Sequence, residues 1–453
     1  MQHRTQPSGM FGFTIVWFGQ LVSQLGSSLT WFALSLWAWQ ETGLATSLAL
    51  VNFFSFGPTV VLGPMAGALV DRWNRKLVMM LSDLAAGIST IVVLLLYATG
   101  NLEIWHLYIT GAFAGAFQAF QYPAYSAAIT TMVSKAQFAR ANGMLSVAES
   151  AGQVVAPILA GTLIGLIGIN GILLIDVVTF VFAVATLAFV RVPQPAATDE
   201  GLAARGSLWH ESVYGFGYIL KRPSLLGLQL IFLGINLVAT FAQVAWSPMI
   251  LARTENNARI LGTVMSAAGL GGVAGGLVLS AWGGPKRRVH GVLTGMILSS
   301  LLGVFVVGVG RSLPVWATGA FLYLFFIPIL NGSNQAIWQS KVAPDIQGRV
   351  FAVRRLIAQI SAPLAMVLGG PLADFVFTPA MQPGGALAPL LGNIFGTGPG
   401  AGMAVMIALF GLLGTMIGVS GYLFPAIRNV EDLLPDYVAT PVAEPSEPLA
   451  AAA

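Results

Sequence analysis

The chain contains no cysteine. That excludes a disulfide framework, a thiolate metal site and a cysteine nucleophile. Charge is scarce as well: Asp, Glu, Lys and Arg make up 8% of 453 residues, against 56% hydrophobic. A water-soluble domain devotes about a quarter of its residues to charge. A chain this poor in charge cannot cover itself for water, and hydrocarbon is the solvent that tolerates such a surface. The four histidines (His3, His106, His210, His290) are far apart. There is no His-Glu-x-x-His zinc pair, no Gly-x-Ser-x-Gly nucleophile elbow and no Walker loop. These absences argue against an enzyme and against direct use of ATP. No metal and no cofactor is expected.

What is present is apolar sequence of spanning length, about 20 residues at a time. Such runs fall near 10–39, 44–70, 77–100, 104–133, 139–168 and 170–190, then 223–252, 259–283, 290–310, 314–340, 348–378 and 401–425. The expectation is an all-α membrane protein with twelve transmembrane helices in two six-helix bundles, residues 1–191 and 223–428. Between them, 192–222 reads as a linker with an amphipathic helix. Residues 429–453, rich in Pro, Ala and Glu, read as a disordered tail. The first apolar run has no cleavage site behind it and reads as a retained helix.

Lys and Arg concentrate in alternate loops, at Arg72, Arg75, Lys76, Lys135, Arg140, Arg191, Lys221, Arg222, Lys286, Arg287, Arg288 and Lys341. The intervening loops hold only Arg253, Arg259 and Arg311. The positive-inside rule then places both termini in the cytoplasm. The net charge of +4 is topogenic, not a nucleic-acid footprint. Trp37, Trp39, Trp105 and Trp316 are expected at one membrane boundary, Trp73 and Trp282 at the other.

The halves repeat. Gly63-Pro-Met-Ala-Gly67-Ala-Leu-Val70 aligns with Gly271-Gly-Val-Ala-Gly275-Gly-Leu-Val278, Ser134-Lys135 with Ser340-Lys341, and Ala156-Pro157 with Ala362-Pro363. Two pseudo-symmetric bundles with a site between them are built for alternating access. In Gly63-x-x-x-Gly67-x-x-x-Asp71-Arg72-x-x-Arg75-Lys76 the two glycines share a helix face, which invites close approach of a neighbouring helix. Asp71 is then placed to hold a helix N-terminus or a basic side chain. This stretch resembles motif A of the major facilitator superfamily, where it implies a gating role. Gly152-Gln-Val-Val-Ala-Pro157-x-x-Ala-Gly161 resembles the antiport motif of exporters in that superfamily, with Ala156 and Ala160 where the family has Gly.

Further stretches, in order along the chain, resemble the bacterial efflux branch that includes the enterobactin exporter and the macrolide-efflux proteins. They include Gly19-Gln20-Leu-Val-Ser23, Arg75-Lys76 with Asp83, Arg140-Ala-Asn142, Leu174-Ile-Asp176, Gln347-Gly-Arg349 and Gly370-Pro-Leu-Ala-Asp374. The resemblance implies export of amphipathic natural products, antibiotics or siderophores, driven by a proton gradient; a monomer in a bacterial inner membrane, surrounded by lipid, is expected.

A charge inside the bilayer costs at least ~3 kcal/mol and needs a reason. Candidates for proton coupling are Glu149 first, with a structural hydrogen-bonding role as its alternative, then Asp176, Asp83 and Asp374; Asp83 and Asp176 read first as structural or gating residues. Uncharged polar and aromatic residues are the candidates for a substrate cavity. In the first half these are Gln20, Gln24, Asn52, Gln118, Gln121 and Tyr122. In the second they are Asn236, Gln243, Asn331, Asn334, Gln335 and Trp338. Many of these amides could equally pair between helices. A lipid or lysolipid flippase on the same fold and a non-transporting membrane sensor or biosynthetic partner stand as alternatives.

Overall fold

In hydrocarbon every backbone N–H and C=O must find a partner inside its own segment, so apolar runs of this length become helices. A computed structural model describes residues 9–70, 73–133, 138–193, 216–342 and 347–434, and no strand occurs among them. Asp71, Arg72 and residues 194–215 of the linker lie outside the described residues.

The helices are α1 (Gly9–Thr42), α2 (Ala45–Val70), α3 (Arg75–Ala98), α4 (Ile104–Met132) and α5 (Phe138–Phe189) in the first half. The second half has α6 (Pro223–Arg253), α7 (Ala258–Trp282), α8 (Arg288–Leu298), α9 (Leu313–Lys341), α10 (Gln347–Pro371), α11 (Ala388–Phe395) and α12 (Ala401–Leu423). α8 continues through a π-helical turn at Ser299–Phe305 into Val306–Val309. α10 likewise continues through a π turn at Leu372–Phe377 into Thr378–Met381. α5 is two limbs, broken at Gly168, whose φ of 67° and ψ of −176° no other residue adopts comfortably. Among the described residues nine stretches are long and apolar enough to cross a membrane, where the sequence predicts twelve. Val154–Phe189 is one of the nine although Gly168 divides it. α1 and α4, rich in amides and hydroxyls, are not among them.

The repeat reappears as packing, with one correction. In the second half Gly271 and Gly275 of α7 lie so close to α9 that a Cβ on either would land on the carbonyl oxygens of Phe321 and Phe325. In the first half Gly63 meets nothing within 4 Å among the described residues. There the small residues sit on the opposite partner: a Cβ on Gly115 of α4 would land on the Ser55 carbonyl of α2. Both seams are tight, but Gly63 does not make one of them.

Trp105, Trp73 and Trp282 are exposed, while Trp37, Trp39 and Trp316 are buried in helix packing. Residues 429–434, expected in the disordered tail, are instead ordered against the second half. Two short helices, Pro425–Arg428 and Val430–Leu433, fold back on the basic end of the second half. There the Glu431 carboxylate accepts from the Val289 N–H at 3.0 Å, Asp432 pairs with Arg287, and Lys341 Nζ donates to the Glu431 carbonyl at 2.7 Å. The glycine-rich segment after α10 carries α11, held by Arg253 on the Phe395 carbonyl at 2.8 Å and by Arg311 on the Ile394 carbonyl.

Candidate functional site

α1 has one polar face. Gln20, Gln24, Ser27 and Trp31 recur at intervals of three and four, so they line up along one side of the helix. That face meets several cavities. One, about 630 Å³, lies where α1, α4 and α5 of the first half face α6, α7 and α9 of the second. Gln24, Gln118 and Gln243 line it, as the sequence suggests, together with Gly152 and Pro157 of the antiport-like stretch. Most of the remaining wall is apolar or aromatic, with Trp31, Phe32, Trp246, Met265 and Tyr323. Gln243 Nε2 donates to the Tyr323 hydroxyl at 3.0 Å, and Trp246 meets the Tyr323 ring edge-on at 5.6 Å. Next to it lies a pocket of about 360 Å³ that shares Trp31, Phe32 and Gln243 and adds Asn52. Asn52 Oδ1 accepts from Trp31 Nε1 at 3.3 Å. No charged side chain lines either cavity among the described residues.

Sequence reasoning missed the aromatic half of this wall. The signal was available: Trp31 lies seven residues from Gln24 and Trp246 three from Gln243, each on the same helix face as its amide. Other cavity candidates fall elsewhere. Trp338 and Asn334 are buried within the second half, where Trp338 Nε1 donates to Asn334 Oδ1 at 3.1 Å. Gln335 accepts from Arg354 at 2.6 Å. Asn236, Asn331 and Gln335 do not line the cavities described above. The side chains of Tyr122, Glu149 and Gly67 lie outside the described residues.

A second, polar pocket of about 250 Å³ is enclosed by α1, α3, α4 and α5. Asp83 sits in it, buried, accepting from Gln20 Nε2 at 2.7 Å and Gln121 Nε2 at 2.9 Å. Asp176 lines the same pocket from the second limb of α5. Its two oxygens accept from Ser27 at 3.1 Å and Thr90 at 2.9 Å. Each carboxylate thus ties three helices together. In the motif A-like stretch, Lys76 Nζ donates to the carbonyls of Ala188 and Val190 at 2.8 Å each, capping the C-terminal end of α5. Arg75 is buried at the start of α3.

The two halves meet along two seams at the end remote from the basic loops. On one, α5 packs on α7: a Cβ on Gly161 would lie 2.6 Å from the Ala258 carbonyl, and one on Gly262 would land on the Pro157 carbonyl. Ser266 Oγ also donates to the Val154 carbonyl at 2.7 Å. On the other, α10 packs on α2. Asp374 lies in the π turn and accepts from the N–H groups of Ala45 and Thr46 at 3.0 and 2.7 Å, and from the Thr46 hydroxyl at 2.6 Å. Asp374 is therefore an inter-half contact at a helix N-terminus, where the dipole favours a carboxylate. Trp39 adds a third tie, donating to Asn256 Oδ1 at 2.8 Å.

Paired helical halves, enclosed cavities at their junction and a duplicated sequence describe a transporter scaffold. The family model described as "Major Facilitator Superfamily" matches residues 16–366. The chain belongs to the Major Facilitator Superfamily. This transporter is 26% identical to "Macrolide efflux protein A" of Streptococcus pyogenes over 383 residues, 80% of this chain and 89% of that protein. It is 25% identical to "Multidrug efflux pump Tap" of Mycolicibacterium fortuitum, covering 80% and 88% of the two chains. Among solved structures, a bacterial homologue of the human lysosomal transporter Spinster superposes with a TM-score of 0.63. The identity is 15%, over 91% of this chain and 98% of that one. A bacterial homologue of the iron transporter ferroportin also gives 0.63, at 14% identity over 91% and 99%. These likenesses show the fold. The transporter is not an enzyme.

Proposed function

We propose that the transporter exports amphipathic organic molecules from a bacterial cytoplasm by alternating access, driven by a proton gradient. The observation that carries this is the wall of the junction cavity. It pairs aromatic surface with adaptable amides and hydroxyls and, among the described residues, presents no charge. Its volume of about 630 Å³ falls in the range of small-molecule sites. Such a wall suits a bulky, partly apolar guest better than an inorganic ion, whose binding needs oxygen ligands or opposite charge. Export as the direction draws support from Gly152, Pro157 and Gly161, which lie at the cavity and its seam, and from relatives named as efflux proteins. Both termini are assigned to the cytoplasm on the loop charges. The transporter acts as a monomer in lipid.

Purified protein in proteoliposomes tests the reading. Erythromycin and ethidium are the probes, with an imposed pH gradient. Accumulation of either against its own gradient, abolished when the pH gradient is collapsed, is expected. Movement of a labelled lysolipid without movement of either probe would favour a flippase. No movement of any of them would end the transport proposal.

A further inference from the structure

The polar pocket in the first half contains more than two carboxylates. Gln121 Nε2 serves both Asp83 and Gln20 Oε1. Its own Oε1 is left buried with no donor among the described residues. One turn further along α4, the Tyr125 hydroxyl is buried with no partner among the described residues. An orphan acceptor, an orphan donor and a carboxylate therefore line one space of about 250 Å³. Buried polar atoms of native proteins rarely stay unpaired, and a small polar cavity with several partners is where an ordered water resides.

Asp176 borders this pocket and also a further one of about 180 Å³. The further pocket extends past Thr90 and Ser89 to Thr110 and Leu107, near the ends of α3 and α4 remote from the basic loops. Asp83 and Thr90 are seven residues apart on α3, about 10 Å by helical rise, and Thr90 is bonded to Asp176. In the other direction Gln24, Ser27 and Gln118 line both the acidic pocket and the 630 Å³ cavity. Pockets and carboxylates thus alternate from one end of the half to the wall of the central cavity. The titratable groups facing this line are Asp83, Asp176 and Tyr125, and no Lys, Arg or His lines either pocket among the described residues. The other polar groups on it are the Trp17 and Trp31 indoles and amides and hydroxyls of α1, α3 and α4, with Ser55 from α2. Glu149 is one residue from the lining Ala148, and its side chain is outside the described residues.

We propose that Asp176 and Asp83 are two stations of a proton path running through the first half, set apart from the substrate cavity and bordering it along Gln24, Ser27, Trp31 and Gln118. A proton arriving through water in the far pocket is held on an Asp176 carboxylate oxygen. It passes by water to Asp83 and leaves into the central cavity. Only O–H bonds form and break, and each carboxylate returns to its starting state. Substrate and proton then do not compete for one site. Their coupling runs through α1, whose Gln20 bonds Asp83 and whose Gln24, Ser27 and Trp31 line both the proton path and the substrate cavity. This inference rests on the proton-coupled reading above.

The test uses the full chain in proteoliposomes, with ethidium and erythromycin as probes. Two measurements are made: uptake driven by a pH gradient, and probe-for-probe counterflow at equal pH. Asp83→Asn and Asp176→Asn are expected to lower gradient-driven accumulation roughly tenfold or more, while counterflow stays within about twofold of wild type. Tyr125→Phe is expected to slow coupled uptake and spare counterflow. Coupled uptake surviving in both Asn variants would overturn the path. So would loss of counterflow together with coupling, which would make the carboxylates structural. A wild type that performs counterflow yet ignores the pH gradient, or follows a sodium gradient instead, would remove the proton-coupled reading itself.

Discussion

Asp374 is seated on Thr46. Its carboxylate takes both the backbone N–H and the hydroxyl of that residue, so the last part of α10 caps the first turn of α2 across the boundary between halves. A capping carboxylate contributes about 0.5–2 kcal/mol, and this one is spent on an inter-half contact. Asp374→Ala is therefore expected to loosen the seam while leaving each half folded. The absence of cysteine permits a clean assay. A single Ser247→Cys, in the cavity wall, should react faster with a membrane-impermeant maleimide applied from the seam side when Asp374 is Ala. An unchanged rate would show that the cap does not hold the seam.

The glycine seams predict opposite outcomes for one kind of substitution. A Cβ on Gly115 would land on the Ser55 carbonyl, whereas one on Gly63 meets open space. Gly115→Ala should cost about 1–3 kcal/mol through overpacking. Gly63→Ala should be neutral or stabilising by up to about 1 kcal/mol, as expected for Gly to Ala within a helix. Thermal unfolding in detergent compares the two directly. Equal destabilisation would contradict the seam assignment.

The turn between α6 and α7 holds two consecutive non-glycine residues at positive φ, Glu255 at 52° and Asn256 at 64°. The left-handed region costs roughly 1–2 kcal/mol for a residue with a Cβ, less for Asn. The turn presents Asn256 Oδ1 to the buried Trp39. Glu255→Gly should raise stability by about 1 kcal/mol. Asn256→Ala should lower it by about 1–3 kcal/mol, because the Trp39 N–H loses its acceptor. Melting temperatures that move the other way would mean that the turn is unstrained or the bond inert.

In the cavity, Trp246→Ala removes an aromatic wall and should weaken probe binding roughly tenfold, about 1.4 kcal/mol. Tyr323→Phe deletes only the hydroxyl that Gln243 contacts and should shift preference among probes with little general loss. Fluorescence titration with ethidium measures both. Undiminished binding in Trp246→Ala would place the substrate elsewhere.

Membrane helices are legible because hydropathy is a one-dimensional property. The break at Gly168 falls between two apolar runs for the same reason. The positions that link the halves are not of this kind. Asp374 reads from sequence as an intramembrane carboxylate and nothing distinguishes it as a cap, because its partners are backbone N–H groups 328 and 329 residues away along the chain. Gly63 has the spacing of a close-packing residue, yet its seam is made by Gly115 on the opposite helix. Repeats identify which helices correspond, not which member of a pair gives way. The cavity amides Gln24, Gln118 and Gln243 follow from polarity alone. Trp338 and Asn334 have the same polarity and satisfy each other inside the second half.

The π turn at Leu372–Phe377 has a genetic consequence. An i→i+5 closure takes up one more residue than an α turn. Deleting a single codon just before Asp374 could be absorbed by reverting to an α turn, with the rest of α10 left in register. The carboxylate would then swing by about 100° around the axis, away from Thr46. A one-codon deletion here would leave the hydropathy profile nearly unchanged yet release one of the seams between the halves.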